Sequence, residues 1–262
     1  MNSTKTSADG SADIFDLTGR RAVVTGASRG IGRAIAIAFA QRGAHVIGMA
    51  RSEGGLKETA ALAEGAPGSL DVHASDLRSP QAVAAAVAVA AERLGGIDIL
   101  VNNAADDHDS SIEDTDLTVF QRVQELNLQS CWVMIRAASP FLKDGGGKVI
   151  NIASVLGLVG IRDNSAYIAA KHGLVGLTKA VALEWARKNV QVNAIAPGYV
   201  ETAMLGDLKG NEALAAYVRK TTPQGRWSQP EEYAGPAVFL ASAASDFMTG
   251  QVLVVDGGYT AQ

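Results

Sequence analysis

A short apolar run that ends in glycines and passes at once into an amphipathic stretch leaves a chain few folds to choose from. The run here is Arg20-Arg21-Ala22-Val23-Val24-Thr25, the glycines are Gly26, Gly30 and Gly32, and residues 31–40 carry the helical spacing of apolar side chains. The pattern then recurs. Further strands are expected at Ala44 to Met49, Leu70 to Ala74, Ile97 to Val101, Lys148 to Ile152, Val190 to Ala196 and Gln251 to Val255, with helices around Glu53 to Glu64, Pro80 to Leu94, Leu117 to Phe141, Ala166 to Lys188 and Pro230 to Ala243. Strands that alternate with helices and read as continuous apolar runs imply a parallel sheet covered on both faces. With no linker and no internal repeat in 262 residues, the expectation is α/β, a single doubly wound domain over residues 14–262. Pro236 falls inside the last helix, where it predicts a kink or a start later than Pro230.

Composition narrows the function classes. A net charge of -4 argues against a nucleic-acid surface and leaves small molecules as the expected partners. No apolar stretch is long enough to cross a membrane. Cys131 is the single cysteine, which removes disulfides and cysteine metal clusters. Residues 1–13 are polar, contain no Arg and include Asp9 and Asp13, unlike a secretory signal or a transit peptide; they are expected to be a disordered tail on a cytoplasmic protein.

Two stretches carry chemistry. Glycines between a strand and a helix let the backbone approach a pyrophosphate, which then meets free N–H groups at the positive end of the helix dipole. A plain glycine turn is the competing reading. In Tyr167-Ile168-Ala169-Ala170-Lys171 a phenol and an ammonium leave one helix face. Alone, that pair reads equally as an exposed Lys beside a half-buried Tyr. An ammonium ~6 Å from the phenol adds about 2.8 kcal/mol at an effective dielectric near 20, about two pKa units toward phenolate.

The Gly-x-x-x-Gly-x-Gly spacing of Thr25 to Gly32, Asn102-Asn103-Ala104-Ala105, Ser154, Tyr167-x-x-x-Lys171, Pro197-Gly198 and Val255-Asp256-Gly257-Gly258 occur together in an order that resembles the short-chain dehydrogenase/reductase family. The resemblance implies a Rossmann domain with a seven-stranded parallel sheet, helices on both faces and the ligand at the carboxyl ends of the strands. It implies a catalytic set of Asn127, Ser154, Tyr167 and Lys171. Tyr167 is the expected general acid/base, Lys171 lowers its pKa and holds the nicotinamide ribose, Ser154 bonds the substrate oxygen, and Asn127 anchors a water. Around the cofactor it implies Gly26, Ser28, Gly30, Ile31 and Gly32 at the pyrophosphate, Asp76 and Leu77 at the adenine, and Asn103 and Ala104 at the adenine ribose. Pro197, Gly198, Val200 and Thr202 follow near the nicotinamide, and residues 203–227 form the substrate lid. Ala105 stands where the family commonly has Gly. Homotetramers are implied through the helices at Leu117 to Phe141 and Ala166 to Lys188, with Leu174, Leu177 and Val181 packing across.

At the end of the second strand an acid would select NAD, but Ala50 stands there and Arg51 follows. Arg51, Arg29 and Ser52 resemble the residues of NADP-preferring relatives, so the expected cofactor is NADP (NADPH), with NAD less favoured. The function expected is reversible hydride transfer between NADP(H) and a carbonyl or secondary alcohol: a ketone, keto acid, sugar or 3-oxoacyl compound. An NAD-dependent sugar or polyol dehydrogenase and a non-catalytic cofactor-binding regulatory protein are the alternatives. His108, Val155, Leu156, Arg162, Asn164 and Tyr199 are expected to face the substrate. The carboxylates from Asp106 to Asp116 read as a solvated acidic loop, and no metal site is expected. The opening Phe15-Asp16-Leu17-Thr18-Gly19 and the stretch Gly225 to Glu232 resemble the gluconate 5-dehydrogenase or sugar dehydrogenase branch, whereas the second-strand end Val46 to Glu53 is similar to 3-oxoacyl-[acyl-carrier-protein] reductases.

Overall fold

Consecutive apolar positions in a strand need cover on both sides, and the sheet supplies it. In a computed structural model that describes residues 13–202 and 211–262, the strands are β1 (Arg21–Thr25), β2 (His45–Ala50), β3 (Ser69–Ala74), β4 (Ile99–Asn102), β5 (Gly147–Ile152), β6 (Val190–Pro197) and β7 (Val252–Val255). All pair in parallel in the order β3-β2-β1-β4-β5-β6-β7. The expected tail, apart from Asp13, and the 203–210 part of the expected lid lie outside the described residues.

The flanking helices are α1 (Gly30–Gln41), α2 (Glu53–Ala61), α3 (Pro80–Leu94), α4 (Leu117–Gln124), α5 (Ser130–Leu142), α6 (Ser165–Trp185), α7 (Glu212–Thr221) and α8 (Ala234–Ala241). Local chemistry sets several ends. Ser79 Oγ accepts the Ala82 N–H at 3.2 Å and Pro80 occupies the first turn of α3, where its missing donor costs nothing; Gly95, left-handed at φ 74°, stops the helix. A π turn at Glu125–Gln129 joins α4 to α5, so the stretch expected as one helix is continuous but underwound at that point. Pro236 sits in the first turn of α8 because a separate 3₁₀ turn (Pro230–Tyr233) precedes it, and the later start replaces the kink.

Side chains of β1 alternate between two cores. Ala22 and Val24 join Ile35, Phe39, Tyr233 and Leu240 on the α1/α8 side, whereas Val23 joins Val83, Val87, Met134 and Ile135 under α3 and α5. Each such fully buried large side chain contributes about 1.5–3 kcal/mol. Leu174 and Val181 of α6 are buried within the protomer, at 1% and 7% exposure. Both are covered by this chain alone, which leaves them little surface to offer across a subunit contact. The sequence reads β1, β2 and β3 outward in one direction and then returns to place β4 on the other side of β1. Strand order reverses there, and the crevice opens beyond Thr25 and Asn102.

Candidate active site

Beyond β1 the backbone turns through Gly26 at φ +67°, a conformation that a side chain disfavours. The turn is locked from β4. Thr25 Oγ1 accepts the N–H of Asn103 at 2.9 Å and of Ala104 at 3.1 Å, and the Asn103 amide donates to the carbonyls of Thr25 at 2.9 Å and Gly26 at 3.3 Å. The Asn103 side chain, expected at the ribose, is therefore committed to holding the loop. A Cβ on Gly32 would fall inside 3.0 Å of both Asn103 Nδ2 and the Gly26 carbonyl. Gly32 is thus a packing requirement beneath the loop and not part of the wall that a ligand meets.

The wall belongs to a cleft of about 1550 Å³ at the carboxyl ends of the strands. Among the expected cofactor residues, Gly26, Ser28, Arg29, Gly30, Ile31, Arg51, Ser52, Asp76, Leu77, Asn103, Ala104, Tyr167, Lys171, Pro197, Gly198, Val200 and Thr202 line it, as do Ser154, Leu156, Arg162 and Tyr199. Arg29 and Arg51 are exposed, and their side chains form no ion pair among the described residues. The Ser52 hydroxyl also caps α2, accepting the Gly55 N–H at 3.2 Å. Both Asp76 oxygens are taken by Arg78, at 3.1 and 2.7 Å, which holds that carboxyl down at about 2. Thr202 lies over Gly30, at the loop end of the cleft.

At the other end α6 presents Tyr167 and Lys171 on one face, buried to 9% and 2% exposure. Lys171 Nζ is 5.4 Å from the Tyr167 ring centre and donates to the Ile152 carbonyl at 2.8 Å. Ser154 follows β5, caps the next turn by accepting the Leu156 N–H at 3.1 Å, and its hydroxyl lies against the phenol. Burial dominates both ionisations. It pushes the phenol well above its usual range, with Asp107 adding to the rise and Ser154 opposing it. It pushes Lys171 down to about 8, with the neighbouring Cys131 and Asp107 opposing the fall. The shift toward phenolate expected from a nearby ammonium is outweighed, because both groups are removed from water together.

Asn127 stands in the π turn, fully buried and behind the cleft. Its Oδ1 accepts the Asp106 N–H at 2.9 Å and its Nδ2 donates to the Asp106 carbonyl at 2.6 Å, so the amide clamps the backbone of that loop. The loop it clamps is not simply solvated. Asp106 pairs with Arg122 at 3.0 Å, while Asp107 and Asp109 line the cleft. Among the described residues no group of His, Cys, Asp and Glu is arranged to hold a metal ion.

Sequence reasoning missed the role of Asp107 and Asp109, and it missed an aromatic group. Tyr199 makes edge contacts with Tyr217, Trp227 and Tyr259 at 6.1, 5.5 and 5.6 Å between ring centres, and all four rings line the cleft. Tyr217 comes from α7, a helix inside the stretch expected to be loose cover; Asn211, which accepts the Leu214 N–H at 3.0 Å, marked its start.

Comparison with known proteins agrees with this architecture. The profile of a family described as "Enoyl-(Acyl carrier protein) reductase" matches residues 26–260. A 2-dehydro-3-deoxy-D-gluconate 5-dehydrogenase of Bacillus subtilis is 42% identical over 248 residues, 94% of this chain and 97% of that protein. A 3-oxoacyl-[acyl-carrier-protein] reductase of Vibrio cholerae is 38% identical, over 93% of this chain and 98% of that protein. The crystal structure of a gluconate 5-dehydrogenase from Burkholderia cenocepacia in complex with NADP and tartrate superposes with a TM-score of 0.91 at 37% identity, covering 95% and 98% of the two chains.

Proposed function

We propose, from the premise that this chain belongs to the short-chain dehydrogenase/reductase family, that it is an NADP(H)-dependent oxidoreductase interconverting a carbonyl and a secondary alcohol. The observation that carries the reading is Tyr167 and Lys171 buried side by side on α6, with Ser154 against the phenol, at the floor of the cleft.

The cleft fits the cofactor. Gly26 and Gly30 bare the backbone where a pyrophosphate would meet the N-terminus of α1, β2 ends in Ala50 without a carboxylate, and the exposed guanidinium groups of Arg51, which follows it, and Arg29 line the same cleft. Arg51 with Arg29 would hold the 2′-phosphate, and Leu77 would pack on the adenine. When bound, the nicotinamide supplies or accepts the hydride at the carbonyl carbon.

The chain's own residues manage the proton and the oxygen. With its pKa raised, Tyr167 is a protonated phenol at neutral pH and is ready to donate to an oxygen that gains charge. Ser154 donates a hydrogen bond to the same oxygen. Lys171, anchored on Ile152, steadies the phenolate left behind and can restore its proton, because burial brings its own pKa near 8. Asn127 acts through the loop it clamps. α7 and Trp227, from the described part of that stretch, cover the substrate. The exposed Leu117, Phe120 and Trp132 of α4 and α5 and Leu183 of α6 support a homotetramer built through those helices, in the cytoplasm.

Tyr167→Phe is the test. It is expected to bind NADPH nearly as the wild type does and to lose ketone reduction, followed at the nicotinamide absorbance. Substantial residual turnover would refute the mechanism.

A further inference from the structure

One wall of the cleft is used by neither the proton transfer nor the cofactor. Asn127 pins the backbone of Asp106, whose side chain turns to Arg122, and the next side chain, Asp107, lines the cleft. Asn164, three residues before Tyr167 and 2% exposed, donates its amide to Asp107 Oδ1 at 3.1 Å and also to Asp109 Oδ1. The amide can only stand this way round, since reversal would point its oxygen at two carboxylates. Its own Oδ1 is buried with no partner among the described residues. Asp107 Oδ1 also accepts the His108 N–H at 2.8 Å, whereas Asp107 Oδ2 takes no hydrogen bond from any described residue. Burial and the charge of Asp109 raise the Asp107 pKa, as expected of a carboxylate short of donors. Asn164 stands at the start of α6 one turn before Tyr167, which sets Asp107 at the end of the cleft that holds the proton-transfer pair.

A half-buried carboxylate with a spare oxygen at the reacting end calls for a donor on the ligand. We infer that Asp107, fixed by Asn164, is a specificity-determining residue that accepts a hydrogen bond from a hydroxyl next to the reacting carbon, so that the substrate is a neutral polyhydroxylated ketone or the corresponding polyol. The C–H faces of such a molecule suit the rings around Tyr199, which line the same cleft. A substrate carboxylate at this wall would meet the charges of Asp107 and Asp109, and a 3-oxoacyl chain offers no donor there. The inference rests on the oxidoreductase reading above.

The full-length protein is assayed with NADPH and four ketones of one carbon skeleton: hydroxylated beside the carbonyl, deoxy, carboxylate-bearing, and carrying an ammonium in place of the hydroxyl. Wild type is expected to favour the hydroxylated ketone in kcat/KM, by about tenfold or more over the others. Asp107→Asn, which keeps the shape, is expected to bring the preference over the deoxy ketone close to unity through KM, and Asp107→Glu to recover part of it; melting curves check that both fold. Calorimetric binding of the polyol to Tyr167→Phe in the presence of NADP, with and without Asp107→Asn, reads recognition without turnover and is expected to show the same loss. Wild-type preference for the carboxylate or ammonium ketone overturns the inference, as does an equal loss for hydroxylated and deoxy ketones in Asp107→Asn. If no ketone is reduced, the oxidoreductase reading fails on its own, and calorimetry still decides: polyol binding weakened by Asp107→Asn supports the inference, and its absence or indifference to that change overturns it.

Discussion

Lys171 is held at a cost that can be measured as a dependence of stability on pH. Burial lowers its pKa from 10.5 to about 8, while in the unfolded chain it titrates at its ordinary value. Below pH 8 the ammonium is protonated in both states, and folding bears the full penalty of burying it. Between 8 and 10.5 the unfolded chain binds more protons than the native one, so stability rises with pH across that window. Each tenfold change in the ionisation constant is worth about 1.4 kcal/mol, so the whole window is worth about 3 kcal/mol. Lys171→Met removes the titration. It also leaves the Ile152 carbonyl without the donor now 2.8 Å away, a loss that is the same at every pH and shifts the comparison without tilting it. Urea unfolding of both proteins without cofactor from pH 7 to pH 10 is expected to show wild type gaining about 2–3 kcal/mol on the variant. Other groups that titrate in this range act alike in both proteins and cancel in the difference. A difference that stays flat, or that shrinks as pH rises, would refute a buried, depressed Lys171, and with it the proton-restoring role.

Three further outcomes follow from the geometry of the cleft. Gly32→Ala forces the Asn103 clamp or the Gly26 carbonyl to move; a loss of about 1–3 kcal/mol in urea unfolding is expected, with cofactor affinity falling in equilibrium titration. Asn127→Ala strips both partners from the half-buried backbone of Asp106; stability in urea unfolding should fall by about 1–3 kcal/mol, and kcat should fall although Asn127 lines no part of the cleft. Arg51→Ala should raise KM for NADPH about tenfold and leave KM for NADH nearly unchanged; equal effects on both would remove Arg51 from the 2′-phosphate.

Much of the fold was legible because it is written locally. The β1–glycine–α1 run, the alternation of strands and helices, and the cap at Ser79 each use signals within a few residues, and the element positions agree with the reading to within one or two residues for most strands. The order of the strands is not local. It entered through the family resemblance, and the structure carries it in the pairing of Val24 with Val101 across 77 positions. The π turn at Glu125–Gln129 escaped notice because a single inserted residue shifts the phase of a helical pattern too little to show within one turn.

Polar side chains proved least legible, because their partners are chosen by the tertiary structure. Asn103 and Asn127 look like ligand contacts in the sequence, yet the amide groups of both bond backbone and tie the loops of the cleft in place. Asp107 looks like one member of an exposed acidic run, yet it is the carboxylate left with an unused oxygen. The two facts are connected. Asn127 fixes the backbone of Asp106, Asp106 turns to Arg122, and Asp107 enters the cleft, where Asn164 holds it. The same loop then joins the proton-transfer pair to the wall that meets the substrate. Weakening the clamp at Asn127 should therefore disturb substrate choice as well as rate, whereas changing Asp107 should act on choice first.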